Sequence, residues 1–215
     1  MSCTLTEPRV RQVLERMHAD ADRVDPPLLA RAKGKSGAER STLLAEAFIP
    51  VSPDAGHLLY TLVRATGPAT VIEFGTSFGL STIYMAAAVR DRGAGTVVTT
   101  EIHESKAQRA REYLREAGLL DVVDLRIGDA RETLAGLAPD VSFVFLDGMK
   151  ELYLPMLRQL EPALRSGALV VADDLDLFPK PLESYLSYVR DPANGYVSVT
   201  VPIGDAMELS TRTAG

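Results

Sequence analysis

The amino-acid sequence predicts an α/β protein built on a doubly wound, mostly parallel sheet, and three observations carry that prediction. Five short runs are apolar at nearly every position, as strands covered on both faces must be. Between them lie segments long enough to serve as crossover helices. After Val189 the rhythm changes to two β-rich runs joined by Pro202-Ile203-Gly204-Asp205-Ala206, which reads as a closing hairpin with one strand antiparallel.

In chain order, the first fifty residues read as helices rather than as part of the alternation, which divides the chain into a helical segment, 1–50, and a sheet-containing domain, 51–215. Val10, Val13, Leu14 and Met17 recur at helical spacing, Pro26-Pro27 interrupts, and Leu28 to Ala47 resumes the pattern around Lys33-Gly34-Lys35-Ser36-Gly37. Gly34-Lys35-Ser36 resembles the tail of a phosphate loop, but such a loop needs a glycine where Leu29 stands and a strand leading in, so a connection between helices is expected. Leu58, Leu59, Leu62 and Val63 form the core stripe of a further helix. The expected strands are Thr70–Phe74, Thr96–Thr100, Val122–Arg126, Ser142–Leu146 and Ala168–Ala172, separated by helices over Ser81–Val89, Ser105–Ala117, Ala130–Leu137 and Tyr153–Leu164. A helix over Pro181–Val189 precedes the hairpin strands Tyr196–Val201 and Met207–Thr211.

With 215 residues, 46% of them hydrophobic and 24% charged, the chain has the composition of a globular domain rather than a disordered or fibrous one. Cys3 is the sole cysteine, so no internal disulfide forms and a reducing compartment suits it. No basic cluster leads into an apolar run at the start, and no stretch reaches the length of a membrane span; a cytoplasmic protein without a membrane partner is expected. A net charge of -6 argues against a nucleic-acid partner. His18, His57 and His103 are scattered without metal-ligand spacing, so no zinc site is expected.

In an open α/β sheet, ligands bind beyond the carboxyl ends of the strands. Four of the five expected parallel strands carry acids there: Glu73 before Gly75-Thr76-Ser77-Phe78-Gly79, Glu101 after the second, Asp147 after the fourth, and Asp173-Asp174 after the fifth. Acids often cap the helices that follow strands, but so many on one rim repel unless a cation or donor-rich ligand intervenes. The glycine turn is Glu-x-Gly-x-x-x-Gly, without the middle glycine that receives a pyrophosphate, and its acid would repel one. A ligand with a cationic amino group and no phosphate suits it, and Glu101 is placed to accept hydrogen bonds from ribose hydroxyls. S-adenosylmethionine fits.

The chain here resembles the cation-dependent S-adenosylmethionine O-methyltransferases that include the catechol and caffeoyl-coenzyme A enzymes. The resemblance runs from about Pro50 to Arg212 and rests on VIEFGTSFGLST, TTEIHES, RIGDA, FLDGMKELY, LVVADDL and VPIGDAMEL in the family's order. It implies the Rossmann-like class I methyltransferase fold, a seven-stranded, mostly parallel sheet with one antiparallel strand, helices on both faces and an N-terminal helical extension. It implies that Glu73, Gly75, Ser77 and Ser81 surround the methionine part of the cofactor, that Glu101 binds the ribose, and that Asp129 and Ala130 border the adenine. Asp147, Asp173 and Asp174 would hold a divalent cation, usually magnesium, and Lys150 would help to deprotonate the acceptor. Asp205 matches a turn near the acceptor pocket. The first fifty residues would form a lid and a homodimer contact.

The implied chemistry is methylation of a small, vicinal dihydroxy aromatic. A phenol with a pKa of about 10 is a weak nucleophile at neutral pH, and a hard cation that chelates two adjacent oxygens stabilises the phenolate. Two departures bear on this. Asp174 stands where the family usually has asparagine, and Gly148-Met149 replaces the bulkier or acidic pairs found between Asp147 and Lys150. A metal-independent methyltransferase acting on another hydroxylated metabolite, and a non-catalytic S-adenosylmethionine-binding protein, remain alternatives.

Overall fold

Every strand expected from the apolar runs is present in the computed structural model, which describes residues 3–21, 31, 32, 35, 37–44, 47–67 and 69–213, with backbone alone at 38 and 41. Strands β1 (Thr70–Phe74), β2 (Thr96–Glu101), β3 (Val123–Ile127), β4 (Val141–Leu146) and β5 (Leu164–Ala172) run parallel. Strand β6 (Tyr196–Val201) forms one edge, and β7 (Met207–Arg212) lies antiparallel between β5 and β6, giving the order β3-β2-β1-β4-β5-β7-β6. The chain switches direction of progress between β1 and β4, so the crevice outside their carboxyl ends is the place for a ligand.

The period-two alternation of side chains sorts each strand into two cores. Val71, Val97, Phe143, Phe145 and Val171 face a layer made by helices α1 (Pro8–Ala21), α3 (Pro53–Ala65), α4 (Leu80–Arg92) and α5 (Glu104–Ala117). Ile72, Val98, Val144, Leu146 and Val170 face the opposite layer, made by α6 (Ala130–Thr133), α7 (Tyr153–Leu160) and α8 (Pro179–Arg190). A short helix, α2 (Gly37–Leu43), belongs to neither. Val10, Val13, Leu14 and Met17 of α1 are buried in the first core, so this part of the N-terminal segment is continuous with the sheet domain.

Local chemistry sets the boundaries. Ser52 caps α3 by accepting from the Ala55 amide at 3.2 Å, with Pro53 in the first turn, where its missing N–H costs nothing. Every residue of α4 from Leu80 to Val89 is buried, and its run of alanines lets neighbouring layers approach closely. Three expected boundaries shift. The helix after β3 is a single turn, Ala130–Thr133, because Gly136 and Pro139 stop it well before Leu137. The helix from Tyr153 ends at Leu160, where Pro162 starts a 3-10 turn, and β5 begins at Leu164, ahead of the expected Ala168. The Leu28–Ala47 helical pattern is seen only as α2 and as helical backbone at 31 and 32; its Gly34-Lys35-Ser36 interruption lies mostly outside the described residues.

Candidate active site

Where β1 and β4 part, the backbone of one strand end lies against the other. Gly75 has φ +104, and a Cβ there would stand 2.6 Å from the Asp147 carbonyl oxygen, so only glycine allows this approach. A cleft of about 200 Å³, open at its mouth, begins at this point. Gly75, Ser77, Glu101, Asp129, Ala130, Asp147, Lys150 and Asp174 all line it, whereas Glu73, Ser81 and Asp173 do not.

On the side of β1 to β3, one carboxylate organises the wall. Glu101 is buried and accepts from the backbone amides of Ser77 at 2.7 Å and His103 at 2.9 Å, tying the glycine turn to the start of α5. Asp129 caps α6 through the Arg131 amide at 2.9 Å, and hydrogen bonds from Arg131 hold its carboxyl below the usual range. Glu73, expected against the ligand, lies beneath the turn. Its carboxylate is fully buried and accepts from the hydroxyls of Ser81 and Thr82 at 2.5 Å and Thr99 at 2.6 Å. Burial pushes Glu73 up to about 7, with the three hydroxyls pulling the other way. Ser81 is committed to the same network, so both support the glycine turn from behind because their strand and helix positions face the core.

On the side of β4 and β5, the acids gather around one ammonium. Lys150 Nζ stands 3.2 Å from Asp147 Oδ1, 2.7 Å from Asp174 Oδ2 and 2.7 Å from the Tyr153 hydroxyl, and is 5% exposed. Asp174 has φ +67, a left-handed conformation that Asp and Asn tolerate better than other side chains. Asp173 does not line the cleft but lies within electrostatic reach of Asp147, Asp174 and Lys150, and it accepts from the Asp174 amide at 2.8 Å. Burial and mutual repulsion raise Asp147 and Asp173, while burial works against the Lys150 charge and Asp174, Tyr153 and Asp147 more than restore it, leaving Lys150 an ammonium. Among the described residues, no three His, Cys, Asp or Glu side chains are gathered closely enough to hold a metal as they stand. Gly148 packs on the Phe74 ring, where a Cβ would be 2.5 Å from Cζ, so Phe74 takes the space that a side chain at 148 would need.

Leu44, Ile49, Met149, Leu152, Leu177 and Phe178 wall the same end with apolar surface, closed above by Gly37 and Arg40 of α2. Asp205 stands apart from the cleft in the exposed turn between β6 and β7, where its carbonyl accepts from the Asp176 amide at 2.9 Å. His57 packs edge-on against Tyr84 at 5.5 Å between ring centres, and Tyr185 is buried against Tyr153 at 5.8 Å. Sequence patterns gave no hint of Arg40 or Phe178, because their place depends on how α2 docks. Tyr153 was legible in principle, since Lys150-x-x-Tyr153 puts both side chains on one face of a turn.

Comparison with known proteins bears on the identity of this cleft. A methyltransferase domain model matches residues 72–175, the stretch from β1 to the acidic pair after β5. The catechol O-methyltransferase of Mycobacterium tuberculosis is 36% identical over 155 residues, 70% of this chain and 66% of that enzyme, so the chain spans just under two thirds of its length. A probable O-methyltransferase of the same organism, Rv1703c, is 33% identical over 184 residues, 80% of this chain and 74% of that protein. The O-methyltransferase TomG from Streptomyces achromogenes, involved in tomaymycin synthesis and solved in complex with S-adenosylmethionine, superposes with a TM-score of 0.68 at 25% identity, covering 89% of this chain and 92% of TomG. The chain belongs to the S-adenosylmethionine-dependent O-methyltransferases of the catechol and caffeoyl-coenzyme A type.

Proposed function

We propose that this protein methylates one hydroxyl of a small, vicinal dihydroxy aromatic with S-adenosylmethionine as donor and a divalent cation, magnesium by preference, at the acceptor. The observation that carries the proposal is the joint placement of Glu101 and the glycine turn at one end of a cleft and the Lys150, Asp147 and Asp174 group at the other. Gly75 and Ser77 leave room for the methionine part, Glu101 accepts from the ribose hydroxyls, and Asp129 with Ala130 flanks the adenine. The apolar walls at Leu44, Ile49, Met149 and Phe178 suit a flat ring.

The donor supplies an electrophilic methyl group on sulfur, and the cation supplies charge that makes the acceptor hydroxyl acidic. Asp147, Asp173 and Asp174 are the residues that would hold the cation. Their chemistry fits, because three carboxylates are hard oxygen donors. Burial and repulsion raise Asp147 and Asp173, a surplus of negative charge that a dication relieves. Lys150, held as an ammonium, stabilises the oxyanion that develops on the acceptor. As the new carbon–oxygen bond forms and the carbon–sulfur bond breaks, the electron pair goes to sulfur and the hydroxyl proton leaves through the carboxylates or solvent. The walls of the cleft align the two partners, which supplies much of the rate.

A second reading has its own support: Lys150 already bridges Asp147 and Asp174, so its ammonium could supply the positive charge without a metal. Electron paramagnetic resonance of Mn(II) titrated into protein saturated with S-adenosylmethionine distinguishes the two. Saturable binding that is lost in Asp173→Ala is expected; no specific binding, with catechol methylation persisting in chelator, would establish the ammonium reading. We also propose a cytoplasmic homodimer formed through the N-terminal helices, which light scattering at micromolar concentration would overturn by reporting a monomer. No described helix is long and apolar enough to cross a membrane.

A further inference from the structure

Arg40 is 6% exposed although it belongs to a short helix outside both cores. Its Nη2 donates to both oxygens of Glu151, at 2.9 and 2.7 Å, its Nη1 donates to the Lys35 carbonyl at 3.3 Å, and its guanidinium lies 4.6 Å from the centre of the Phe178 ring. A Cβ on Gly37, at the start of α2, would stand 2.9 Å from Glu151 Oε2, so the helix backbone rests on the same carboxylate. Among the described residues, α2 packs extensively against no other helix or strand. The Arg40 contacts join this roof to the turn that carries Lys150. Glu151 sits in the 3-10 turn Lys150–Leu152, so the outside of this turn is tied to the roof while Lys150 and Tyr153 meet on its inside.

We propose that Arg40 is a positioning residue for the acceptor: paired with Glu151, it latches α2 across the acceptor end of the cleft and fixes the turn that carries Lys150. This rests on the reading of that end as the acceptor pocket. The pair suits the role, because a planar guanidinium gripping a carboxylate and stacked on an aromatic ring fixes direction as well as distance. Glu151 is 42% exposed at its side chain but Arg40 only 7%, so opening the pair while α2 stays docked would leave a buried guanidinium without its carboxylate, which ties the pair to the position of α2.

The test is a double-mutant cycle with Arg40→Gln, Glu151→Gln and the double variant, each saturated with S-adenosylhomocysteine. Amide hydrogen exchange is followed in these complexes over the peptides covering residues 37–44 and 148–154, and KM and kcat for catechol are measured separately, with S-adenosylmethionine in place of S-adenosylhomocysteine. Each single variant is expected to speed exchange in both peptides and raise the catechol KM about tenfold, with kcat falling less, and the double variant is expected to be no worse than either single. The affinity for S-adenosylhomocysteine should stay within about twofold, since neither residue reaches the cofactor end. Additive effects, unchanged exchange, or a loss of S-adenosylhomocysteine binding would each overturn the latch. If wild-type protein does not methylate catechol, the acceptor assignment fails, and the exchange cycle still decides whether the pair holds α2 to the Lys150 turn.

Discussion

The two sides of the cleft bury their acids in opposite ways. Beneath the glycine turn, at the end proposed for the cofactor, Glu73 is surrounded by the hydroxyls of Ser81, Thr82 and Thr99, with no cation among these partners. At the end proposed for the acceptor, Asp147 and Asp174 share the ammonium of Lys150. Three fixed hydroxyls give a carboxylate a permanent seat and leave nothing for a ligand to displace. An ammonium shared by two carboxylates is different, because an incoming oxyanion or a competing cation can exchange into the group with little movement. The first arrangement builds a wall, and the second can do chemistry.

The largest effect that would break this comparison is expected at Lys150. Replacing it with methionine keeps the buried stem and removes the charge, leaving Asp147 and Asp174 to face each other. We expect kcat to fall by about 10²- to 10⁴-fold, the range found when a group that acts in the transition state is removed. Calorimetry should find S-adenosylhomocysteine affinity within about threefold of wild type. If kcat is unaffected, the ammonium is a structural counter-ion, and the acceptor end is no different from the seat of Glu73.

A second prediction concerns Glu73 and stability. Its carboxyl titrates near 4.5 when exposed and near 7 when folded, because burial disfavours the charge more than the three hydroxyls favour it. The folded protein therefore holds a proton that the unfolded chain has released between these two values. Stability contributed by the protonated form is fully present below pH 4.5 and is lost as pH rises through 7. The shift corresponds to about 3 kcal/mol across this window. In Glu73→Gln, that part of the pH dependence should vanish from urea unfolding curves measured between pH 4.5 and 8. A slope equal to that of wild type would mean that the Glu73 charge is as well accommodated inside as in water.

How much of this was legible before folding differs along the chain for physical reasons. Strands buried on both faces announce themselves by continuous apolar runs, so β1, β2 and β4 could be placed almost to the residue, while the half-exposed closing hairpin was marked instead by two β-rich runs on either side of Pro202 to Ala206. Ends were less visible where proline and glycine act through geometry, as at Pro162 and Gly136. Residues on the strand ends were legible as a set because the topology brings all carboxyl ends to one rim. What the sequence could not show was the direction in which each acid faces. Glu73 and Glu101 lie one strand apart with similar neighbours, yet Glu73 faces the core and Glu101 the cleft. Arg40 was out of reach, since its partner Glu151 is distant in the chain and their meeting depends on α2, whose pattern carries no mark of where it docks.

The smallest effect sharpens the comparison at Glu101, the acid that ties the wall together and by the proposed function also meets the ligand. Its carboxylate accepts from the amides of Ser77 and His103, and by the proposed function also from ribose hydroxyls. In Glu101→Gln, one oxygen becomes an NH₂ group that cannot accept, so either a backbone amide or the ribose loses its partner. Hydrogen bonds to charged groups contribute about 1.5–3 kcal/mol, and the side chain keeps one acceptor, so the lower end applies. The KM for S-adenosylmethionine should rise about tenfold while kcat stays within about twofold. This is the reverse of the split expected for Lys150→Met. An acid that mainly holds a wall and grips the cofactor should change binding, whereas a charge that acts only as the methyl group moves should change turnover. If Glu101→Gln lowers kcat and leaves KM alone, the division of the cleft into a binding wall and a reacting floor is wrong at the residue where the two were assigned to meet.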